Sequence, residues 1–389
     1  MLEQKQFILE GIHYSSGKAV RIEVSHGVIS SLEEIVKGPG QENSGEKELP
    51  VVAPGLTDLQ INGYRGVDFN DPGLTPGQIE GASDELLLTG VTTYYPTLIT
   101  GSGEKTSTLL KTFARAVGQN DKASRMIGGI HLEGPFISAE DGPRGAHLKQ
   151  FCQDPDLRLL GRWQKLAGGM IRIVTLAPEL PGSVPFIKSC VSMGIVVGIG
   201  HTAANTNQIN RAVDAGATLS THLGNGCHST LPRHPNYIWD QLAQENLWTS
   251  MIADGFHLPD SVLRVFIKSK GDKAILISDG MTYTGLVPGL YDSPATGRVN
   301  LTPGGKLHLD GKPATLAGSA STLLEGVKKT SGLVGFSRAW DMASLHPDRL
   351  MKPDALLGLE VGARANLVLL NPNLAAPSIW KVFHDGSLF

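Results

Sequence analysis

Three residues of the kinds that bind metal ions each follow a short apolar run. Glu133 ends the run in IHLEGPF, His201 follows VVGIG, and His222 follows ATLST. Turn-forming residues come next in each case. One carboxylate and two imidazoles form a mixed oxygen and nitrogen ligand set that leaves a position for water on zinc or a similar divalent ion. This pattern predicts a hydrolytic metal site on the rim of a barrel, and therefore an enzyme.

The segments that position these groups alternate between apolar runs and helical patterns. Plausible helices lie at 75–90, 104–118 and 205–216, starting with Thr, Glu or Asn and ending at Gly. Runs that are apolar on both faces are typical of parallel strands covered by helices, and eight such strands close an α/β barrel. The predicted strands are VVAPGLTDLQIN, GVTTYYPTLIT, MIGGIHLEGPF, IRIVTLAPE, GIVVGIGHT, ATLSTHL, WTSMIADGFH and AILISDG.

The barrel prediction has a consequence for the polar residues. Catalytic groups of such barrels gather at the carboxyl ends of the strands, so polar residues at these ends should surround one pocket. The residues that fall there are Gln60, Asn62, Glu133, His201, His222, Asp254, His257 and Asp279.

The two ends of the chain have a different pattern. Residues from about 5 to 53 predict short strands separated by polar turns, including the Gly-rich loop KGPGQENSGEKE, and the tail has the same character. We therefore expect an α/β fold with a (β/α)8 TIM barrel at 54–354. A small β-sandwich domain, built from both chain ends, should comprise 1–53 and 355–389. A Gly- and Pro-rich stretch at 282–317 predicts a hairpin and loop over the site.

Length and composition limit the class of protein. A chain of 389 residues with 41% hydrophobic content can bury a core of barrel size. Lys and Arg total 34 against 37 Asp and Glu, and no basic run favours nucleic acid or an anionic membrane as a partner. The first residues are charged where a secretory signal requires an apolar stretch, and no apolar run is long enough to span a bilayer. These features favour a cytoplasmic protein with three reduced cysteines.

Motifs along nearly the whole chain resemble those of the N-acetylglucosamine-6-phosphate deacetylases of the amidohydrolase superfamily. HLEGP and the pairing of GHT with THL are fairly specific to that family, whereas ADG and SDG alone are weak. The resemblance implies a hydrolase that converts N-acetylglucosamine 6-phosphate to glucosamine 6-phosphate and acetate. The matching segments are PGLTDLQINGYRGVDFND, GGIHLEGPFIS, GHTAANTNQINRAVDAGATLSTHLGNG, IADGFHL, ISDGM and LAGSASTLLEGV.

The resemblance also implies the metal content of the site. Strand one of the superfamily usually carries a His-x-His pair for a second metal, and here Gln60 and Asn62 stand in its place. Amides are poor zinc ligands compared with imidazoles. We therefore expect one divalent ion per subunit, with zinc as the first expectation and iron, manganese or cobalt as alternatives. Its expected ligands are Glu133, His201 and His222.

Further roles follow from the same resemblance. Asp279 is expected to act as general base and then general acid, and His257 to donate a hydrogen bond to the substrate carbonyl oxygen. Arg233 is expected to reach the phosphate in the neighbouring subunit's site, which implies a homodimer. The expected substrate contacts are His147, Asn225, Gly226, Arg233, His257, Leu316, Ala317 and Gly318.

Several assignments have alternatives. Gln60 and Asn62 either satisfy buried backbone groups or contact the water on the metal. Asp279 could instead cap a helix, and Arg233 could form a solvated surface pair. His131 faces the same side as Glu133, but the family does not use it as a ligand, which favours a packing role.

Other functions remain open at this stage. A related substrate is N-acetylgalactosamine 6-phosphate, and a related reaction is cyclic-amide hydrolysis. A carboxylated Lys ligand would favour the cyclic amidases, but the predicted barrel has no Lys at a strand end. A different class is a catalytically silent barrel that binds a sugar phosphate, and the retention of Asp279 and of the three metal ligands argues against it.

Overall fold

The computed structural model of the chain describes residues 6–36, 48–293 and 297–389. The Gly-rich loop expected near residue 40 lies outside the described residues, apart from Glu48.

Eight parallel strands form the barrel, and they pair in the order of the sequence. All eight predicted strands are confirmed. The first and last strands meet where Asp279 N donates to Gln60 O at 2.9 Å and Asn62 N donates to Gly280 O at 2.8 Å. The barrel strands, numbered one to eight, are Leu56–Ile61, Val91–Ile99, Ile130–Glu133, Ile171–Leu176, Val196–Ile199, Leu219–Ser220, Trp248–Ile252 and Ala274–Ile277.

Burial on both faces explains the apolar sequences of the barrel strands. Strands one, three and eight contain only buried residues. Strand eight is wholly apolar, whereas strands one and three also contain polar residues, among them Asp58, Gln60 and His131, and these are buried as well.

A polar cluster lies within the barrel, and we call His131, Thr175 and Thr221 the interior cluster. His131 Nδ1 donates to Leu59 O at 3.1 Å, and His131 Nε2 accepts from Thr175 Oγ1 at 2.7 Å. The hydroxyls of Thr175 and Thr221 are hydrogen-bonded at 2.8 Å. Burial lowers the pKa of His131 to about 4, so the ring is neutral and both its nitrogens are satisfied. This arrangement is that of a packed, hydrogen-bonded histidine.

Side-chain caps start several helices. Asn205 Oδ1 accepts from Gln208 N at 3.0 Å, and Gln208 Oε1 accepts from Asn205 N at 2.8 Å. This capping box satisfies backbone groups that the first helical turn leaves free. The α-helices are Pro76–Leu87, Gly103–Gln119, Asp121–Met126, Leu157–Leu166, Ser183–Ser192, Thr206–Asp214, Tyr237–Ala243, Asp260–Lys270, Leu323–Val334, Phe336–Met342 and Leu345–Met351, and the 3-10 helices are Lys149–Phe151 and Gly271–Lys273.

One helix starts earlier than its sequence pattern predicts. Glu104 was the expected first residue, but the cap is Ser102, whose side chain accepts from Lys105 N. Glu104 lies instead in the first turn, where its negative charge is favourable next to the helix N-terminus.

Both ends of the chain join one seven-stranded sheet, which confirms that a single β unit is built from both ends. Val51–Pro54, expected as the start of the first barrel strand, belongs to this sheet and pairs with strands from both ends. In sheet order the strands are Ser387–Leu388, Ile379–His384, Leu367–Leu370, Val51–Pro54, Phe7–His13, Ala19–Ser25 and Val28–Glu34.

The chain divides into two compact units. One contains Met1–Thr57, Asp84–Thr92 and Val327–Phe389, and the other contains Asp58–Ser83 and Thr93–Gly326. The domain boundaries expected from the sequence, at 53/54 and 354/355, stay predictions.

The Gly- and Pro-rich stretch near 282–317 contains more than the expected hairpin. Four antiparallel strands form a separate small sheet, and its core contains Tyr283, Val299, Leu301 and Leu307. The strands of the small sheet are Gly289–Ser293, Gly297–Leu301, Leu307–Leu309 and Lys312–Leu316, and a two-stranded ribbon pairs Gly63–Tyr64 with Val67–Asp68.

Among the described residues, no helix is both long enough and apolar enough to cross a membrane.

Candidate metal centre

The three expected metal ligands meet at the carboxyl ends of strands three, five and six. Glu133 Oε1 lies 3.2 Å from His201 Nε2 and 2.7 Å from His222 Nε2. The two Nε2 atoms are 3.2 Å apart. All three side chains are buried. Together with Asp279, these residues form what we call the mouth cluster.

The backbone at this cluster is strained. His201, His222 and Asp279 have φ angles of +51°, +29° and +46°, in the left-handed region that residues other than glycine rarely adopt. Three of the six such non-glycine residues in the described part of the chain are thus site residues predicted from the sequence. Strain of this kind persists where the surroundings enforce it, and it is common at functional sites.

Hydrogen bonding turns His201 toward Glu133. His201 Nδ1 donates to Pro143 O at 2.8 Å, which turns Nε2 toward the cluster. Gly226 packs against the same ring, because a Cβ atom at Gly226 would lie 2.5 Å from His201 Nδ1. His222 Nδ1 has no hydrogen-bond partner among the described residues.

The cluster concentrates negative charge on Glu133. Burial raises the pKa of Glu133, but hydrogen bonds from His201 and His222 outweigh it and hold that pKa well below its ordinary value. Burial lowers the pKa of His222, and its hydrogen bond to Glu133 more than reverses this effect. Glu133 therefore stays ionised beside His201 and His222, and a buried carboxylate of this kind can bind a cation.

Gln60 and Asn62 each donate a side-chain hydrogen bond to a carboxylate of the site, and the expected contacts with backbone groups or with the water on the metal stay predictions. Gln60 Nε2 donates to Glu133 Oε1 at 2.7 Å, and Asn62 Nδ2 donates to Asp279 Oδ1 at 2.8 Å. Both amides therefore turn their donor groups toward carboxylates. These contacts use the NH2 groups of the two amides, which cannot bind a cation.

Asp279 lies two residues beyond strand eight, as predicted. Burial, followed by the charge of Glu133, raises the pKa of Asp279 to about 6. His222, His257 and the hydrogen bond from Asn62 act in the opposite direction. A carboxyl group with this pKa can exchange a proton near neutral pH, as a general base and acid must.

His147 lies beside the predicted ligands. Its Nε2 is 3.9 Å from Glu133 Oε2, and its ring makes an edge contact with His201. Glu133, His147 and His201 offer ligand atoms that all lie within 4.8 Å of one another. Burial, and then the proximity of His201, lower the pKa of His147 to about 3, so the ring is neutral.

His257 follows strand seven, and Asp254 holds its ring. His257 Nδ1 donates to Asp254 Oδ2 at 2.6 Å. The sequence placed both residues at a strand end but assigned a role only to His257.

The remaining expected substrate contacts are brought together only in part. Asn225 is half-buried and donates to His222 O at 3.3 Å. The segment 316–318 returns to the end of strand eight, where Ser319 O accepts from Met281 N at 2.8 Å. Arg233 is exposed, and within the described ranges no hydrogen bond or ion pair links it to the mouth cluster.

Two residues near the site were missed from the sequence. Arg144 Nη1 donates to His147 O at 2.7 Å and so fixes the segment that carries His147. Glu179 accepts from Thr202 Oγ1 and Ala203 N, next to His201. Glu179 follows the apolar run IRIVTLAP, so its place at a strand end was a usable signal.

The donor set fits a divalent metal. Two nitrogens and one carboxylate oxygen converge, one imidazole is turned by a backbone carbonyl, and the carboxylate is ionised. A closed barrel with this cluster at the carboxyl ends of its strands defines a barrel hydrolase of the metal-dependent type.

Comparison with known proteins identifies the family. No family model matches the chain. The N-acetylglucosamine-6-phosphate deacetylase of Bacillus subtilis (strain 168) is 32% identical over 361 residues, which covers 90% of this chain and 88% of that protein. The N-acetylgalactosamine-6-phosphate deacetylase of Escherichia coli O157:H7 is 27% identical and covers 92% of this chain and 93% of its own length.

A solved structure gives the same result. A mutant N-acetyl-D-glucosamine-6-phosphate deacetylase of Mycobacterium smegmatis, in complex with N-acetyl-D-glucosamine-6-phosphate, matches with a TM-score of 0.85 and 27% identity over 99% of both chains. The chain belongs to the N-acetylglucosamine-6-phosphate deacetylase family, which confirms the resemblance and the fold class predicted from the sequence. It is therefore an enzyme that hydrolyses a linear amide.

Proposed function

We propose that the enzyme hydrolyses the acetamide of N-acetylglucosamine 6-phosphate to glucosamine 6-phosphate and acetate. The observation that carries this proposal is the convergence of Glu133, His201 and His222 in a chain of this family. The related structure with bound N-acetyl-D-glucosamine-6-phosphate supports the choice of substrate.

Glu133, His201 and His222 would hold one divalent cation, with zinc as the first candidate and iron, manganese or cobalt as alternatives. A cation bound there would lower the pKa of a water molecule to roughly 7, well below its ordinary value, which would make hydroxide available at neutral pH. Gln60 and Asn62 take no part in binding it, because both donate hydrogen bonds to carboxylates.

Asp279 moves the proton during hydrolysis. Its carboxylate takes the proton of the attacking water and then gives it to the departing amine. With a pKa of about 6, Asp279 can both accept a proton from water and give it to the amine near neutral pH. The hydrogen bond from Asn62 orients the carboxylate. His257 donates to the carbonyl oxygen as negative charge develops there.

Substrate binding involves the loops around the mouth cluster. His147, Asn225 and Gly226 contact the sugar phosphate, and the segment 316–318 covers the hexosamine ring. Arg233 binds the phosphate in the neighbouring subunit of a homodimer, since its exposed guanidinium suits two phosphate oxygens.

All three cysteines are free, which supports a cytoplasmic location with reducing conditions.

A second candidate substrate is N-acetylgalactosamine 6-phosphate. A relative that acts on it, at 27% identity, favours this alternative over others. The two sugars differ at C4, so the side chains that line the sugar site decide between them.

An acetate-release assay across N-acetyl hexosamines, each with and without the 6-phosphate, tests the proposal. We expect N-acetylglucosamine 6-phosphate to give the highest kcat/KM. A higher value for the galacto sugar would support the second candidate, and no acetate release from any sugar would overturn both.

A further inference from the structure

The two histidines of the mouth cluster differ in what holds their rings. His201 Nδ1 donates to Pro143 O at 2.8 Å, so a hydrogen bond to the ring itself turns that ligand. His222 Nδ1 has no such partner among the described residues, although the side chain is buried. A histidine that binds metal almost always donates from its second ring nitrogen, which fixes the ring. The orientation of the His222 ring therefore depends on its backbone.

One side chain of the neighbouring strand holds the backbone of His222. Ser250 Oγ accepts from His222 N at 2.8 Å and donates to Ser220 O at 3.2 Å. The backbone oxygen of Ser250 accepts from Leu223 N at 3.1 Å. Ser250 is buried, so bulk water does not compete for these bonds. A single residue of strand seven thus bonds to the chain on both sides of His222.

These contacts occur where the regular pairing of strands six and seven stops. The last backbone pair joins Ser220 to Thr249. Two residues later the chain turns, and His222 has its φ angle of +29°. A residue other than glycine keeps such an angle only where its surroundings enforce it. The Ser250 hydroxyl satisfies the N–H of His222 beyond the last backbone pair, and it supplies part of that enforcement.

We propose that Ser250 is a positioning residue that directs the His222 ring into the metal site through the backbone. The carbonyl oxygen of His222 accepts from Asn225 N at 2.9 Å, so both backbone polar groups of His222 are fixed. Ser250 acts on the metal only through His222, since its hydroxyl is already used by two backbone groups. The proposal rests on the proposed function, because that function makes His222 a ligand.

Competition between the folded enzyme and a chelator, with zinc as the metal, tests the proposal. Ser250→Ala should weaken zinc affinity by about 10- to 100-fold, as the loss of an orienting partner does. Ser250→Thr keeps the hydroxyl and should bind zinc nearly as the wild type does. The matched control is Thr249→Val, which also removes a buried hydroxyl from strand seven. Thr249 Oγ1 has no hydrogen-bond partner in the described part of the chain, so this control should leave the affinity unchanged.

Hydrogen exchange in the metal-free proteins tests the contact itself. The amide of His222 should exchange faster in Ser250→Ala than in the wild type, because it loses its acceptor, and Thr249→Val should match the wild type. If Ser250→Ala does not fold, Ser250→Gly replaces it, since glycine also lacks the hydroxyl. Unchanged exchange, unchanged zinc affinity in the folded variant, or an equal loss of affinity in Thr249→Val would overturn the proposal.

A double-mutant cycle shows whether Ser250 acts through His222. His222→Ala should weaken zinc binding more than Ser250→Ala does, and the double variant should bind no more weakly than His222→Ala. Effects that multiply would overturn the proposal. A wild type that binds zinc through His222 but releases no acetate would refute the proposed function alone, since neither zinc affinity nor hydrogen exchange depends on turnover.

Discussion

Two clusters in the same barrel, one with a single buried histidine and one with two, differ in how the histidine nitrogens are satisfied. In the interior cluster, both nitrogens of His131 have neutral partners, Leu59 O and Thr175 Oγ1. In the mouth cluster, the Nε2 atoms of His201 and His222 converge on one carboxylate oxygen. Burial is similar in the two groups, so burial alone does not identify a ligand.

The difference extends to the backbone. His131 lies within a regular strand, whereas His201 and His222 have positive φ angles just beyond their strands. The ring of His131 is thus satisfied by neutral partners within a strand, whereas backbone strain and charge occur together in the mouth cluster. Strained and electrostatically unbalanced positions of this kind are where ligands bind.

The largest expected effect is a loss of kcat when Asp279, the proposed proton carrier of the mouth cluster, is replaced. Asp279→Asn should lower kcat by about 10²- to 10⁴-fold, because the amide can neither accept nor return the proton. The metal content should stay near that of the wild type, since Asp279 is not a proposed ligand. Acetate release and elemental analysis measure the two quantities, and substantial remaining activity would refute the role of Asp279.

Removal of a ligand should abolish metal binding. We expect His201→Ala to weaken metal affinity by more than the roughly 100-fold that follows loss of an outer-shell partner. Competition with a chelator measures the change. Unchanged affinity would remove His201 from the ligand set.

The matched change in the interior cluster should act on stability instead. His131→Ala leaves a cavity and removes the partners of Thr175 and Leu59, which should reduce the free energy of unfolding by about 2–4 kcal/mol. Metal affinity in the folded variant should match that of the wild type. If His131→Ala lost metal as His201→Ala does, the distinction between the two clusters would fail.

A third buried carboxyl group sharpens the contrast with Glu133. Asp58 Oδ1 accepts from Ser278 N at 3.1 Å and from Gln60 N at 3.3 Å, and burial raises the pKa of Asp58 to about 7. A raised carboxyl pKa stabilises the fold below pH 4, and this contribution is lost as the pH rises through about 7. Asp58→Asn removes the effect.

Urea unfolding at pH 5 and pH 7 measures this difference. The free energy of unfolding of the wild type, relative to Asp58→Asn, should fall by about 2 kcal/mol between the two pH values. An unchanged difference would mean that Asp58 has the same pKa in the folded and unfolded chain.

The smallest expected effect is on KM and comes from Arg233, which belongs to neither cluster. Arg233→Ala should raise KM for the phosphorylated sugar by about 10-fold, as the loss of a charged phosphate contact of about 1.4 kcal/mol does. The unphosphorylated sugar serves as the control and should be unaffected. Equal effects on both sugars would exclude phosphate binding by Arg233.

The sequence predicts the barrel and the mouth cluster for a physical reason. Burial on both faces makes most residues of these strands apolar, so a titratable residue at the close of such a run marks a strand end. Glu133 is the last residue of strand three, and His201 and Asp279 each lie two residues beyond a strand. Even the two-residue strand Leu219–Ser220 was found this way, through the His222 that follows it.

Other features depend on contacts that spacing does not reveal. The carbonyl of Pro143 that turns His201 is a backbone atom, and no residue type predicts it. The donor orientation of Gln60 and Asn62 depends on carboxylates that lie far away in the sequence. The four-stranded sheet at 289–316 was expected as a hairpin, because its strands are short and largely exposed.

Diffraction at the zinc absorption edge, from crystals grown with zinc, tests the central claim most directly. We predict one anomalous peak per subunit, within about 2.0–2.2 Å of Glu133 Oε1 or Oε2, His201 Nε2 and His222 Nε2. A peak held by other residues, or no peak among these three, would contradict the assignment of the metal site.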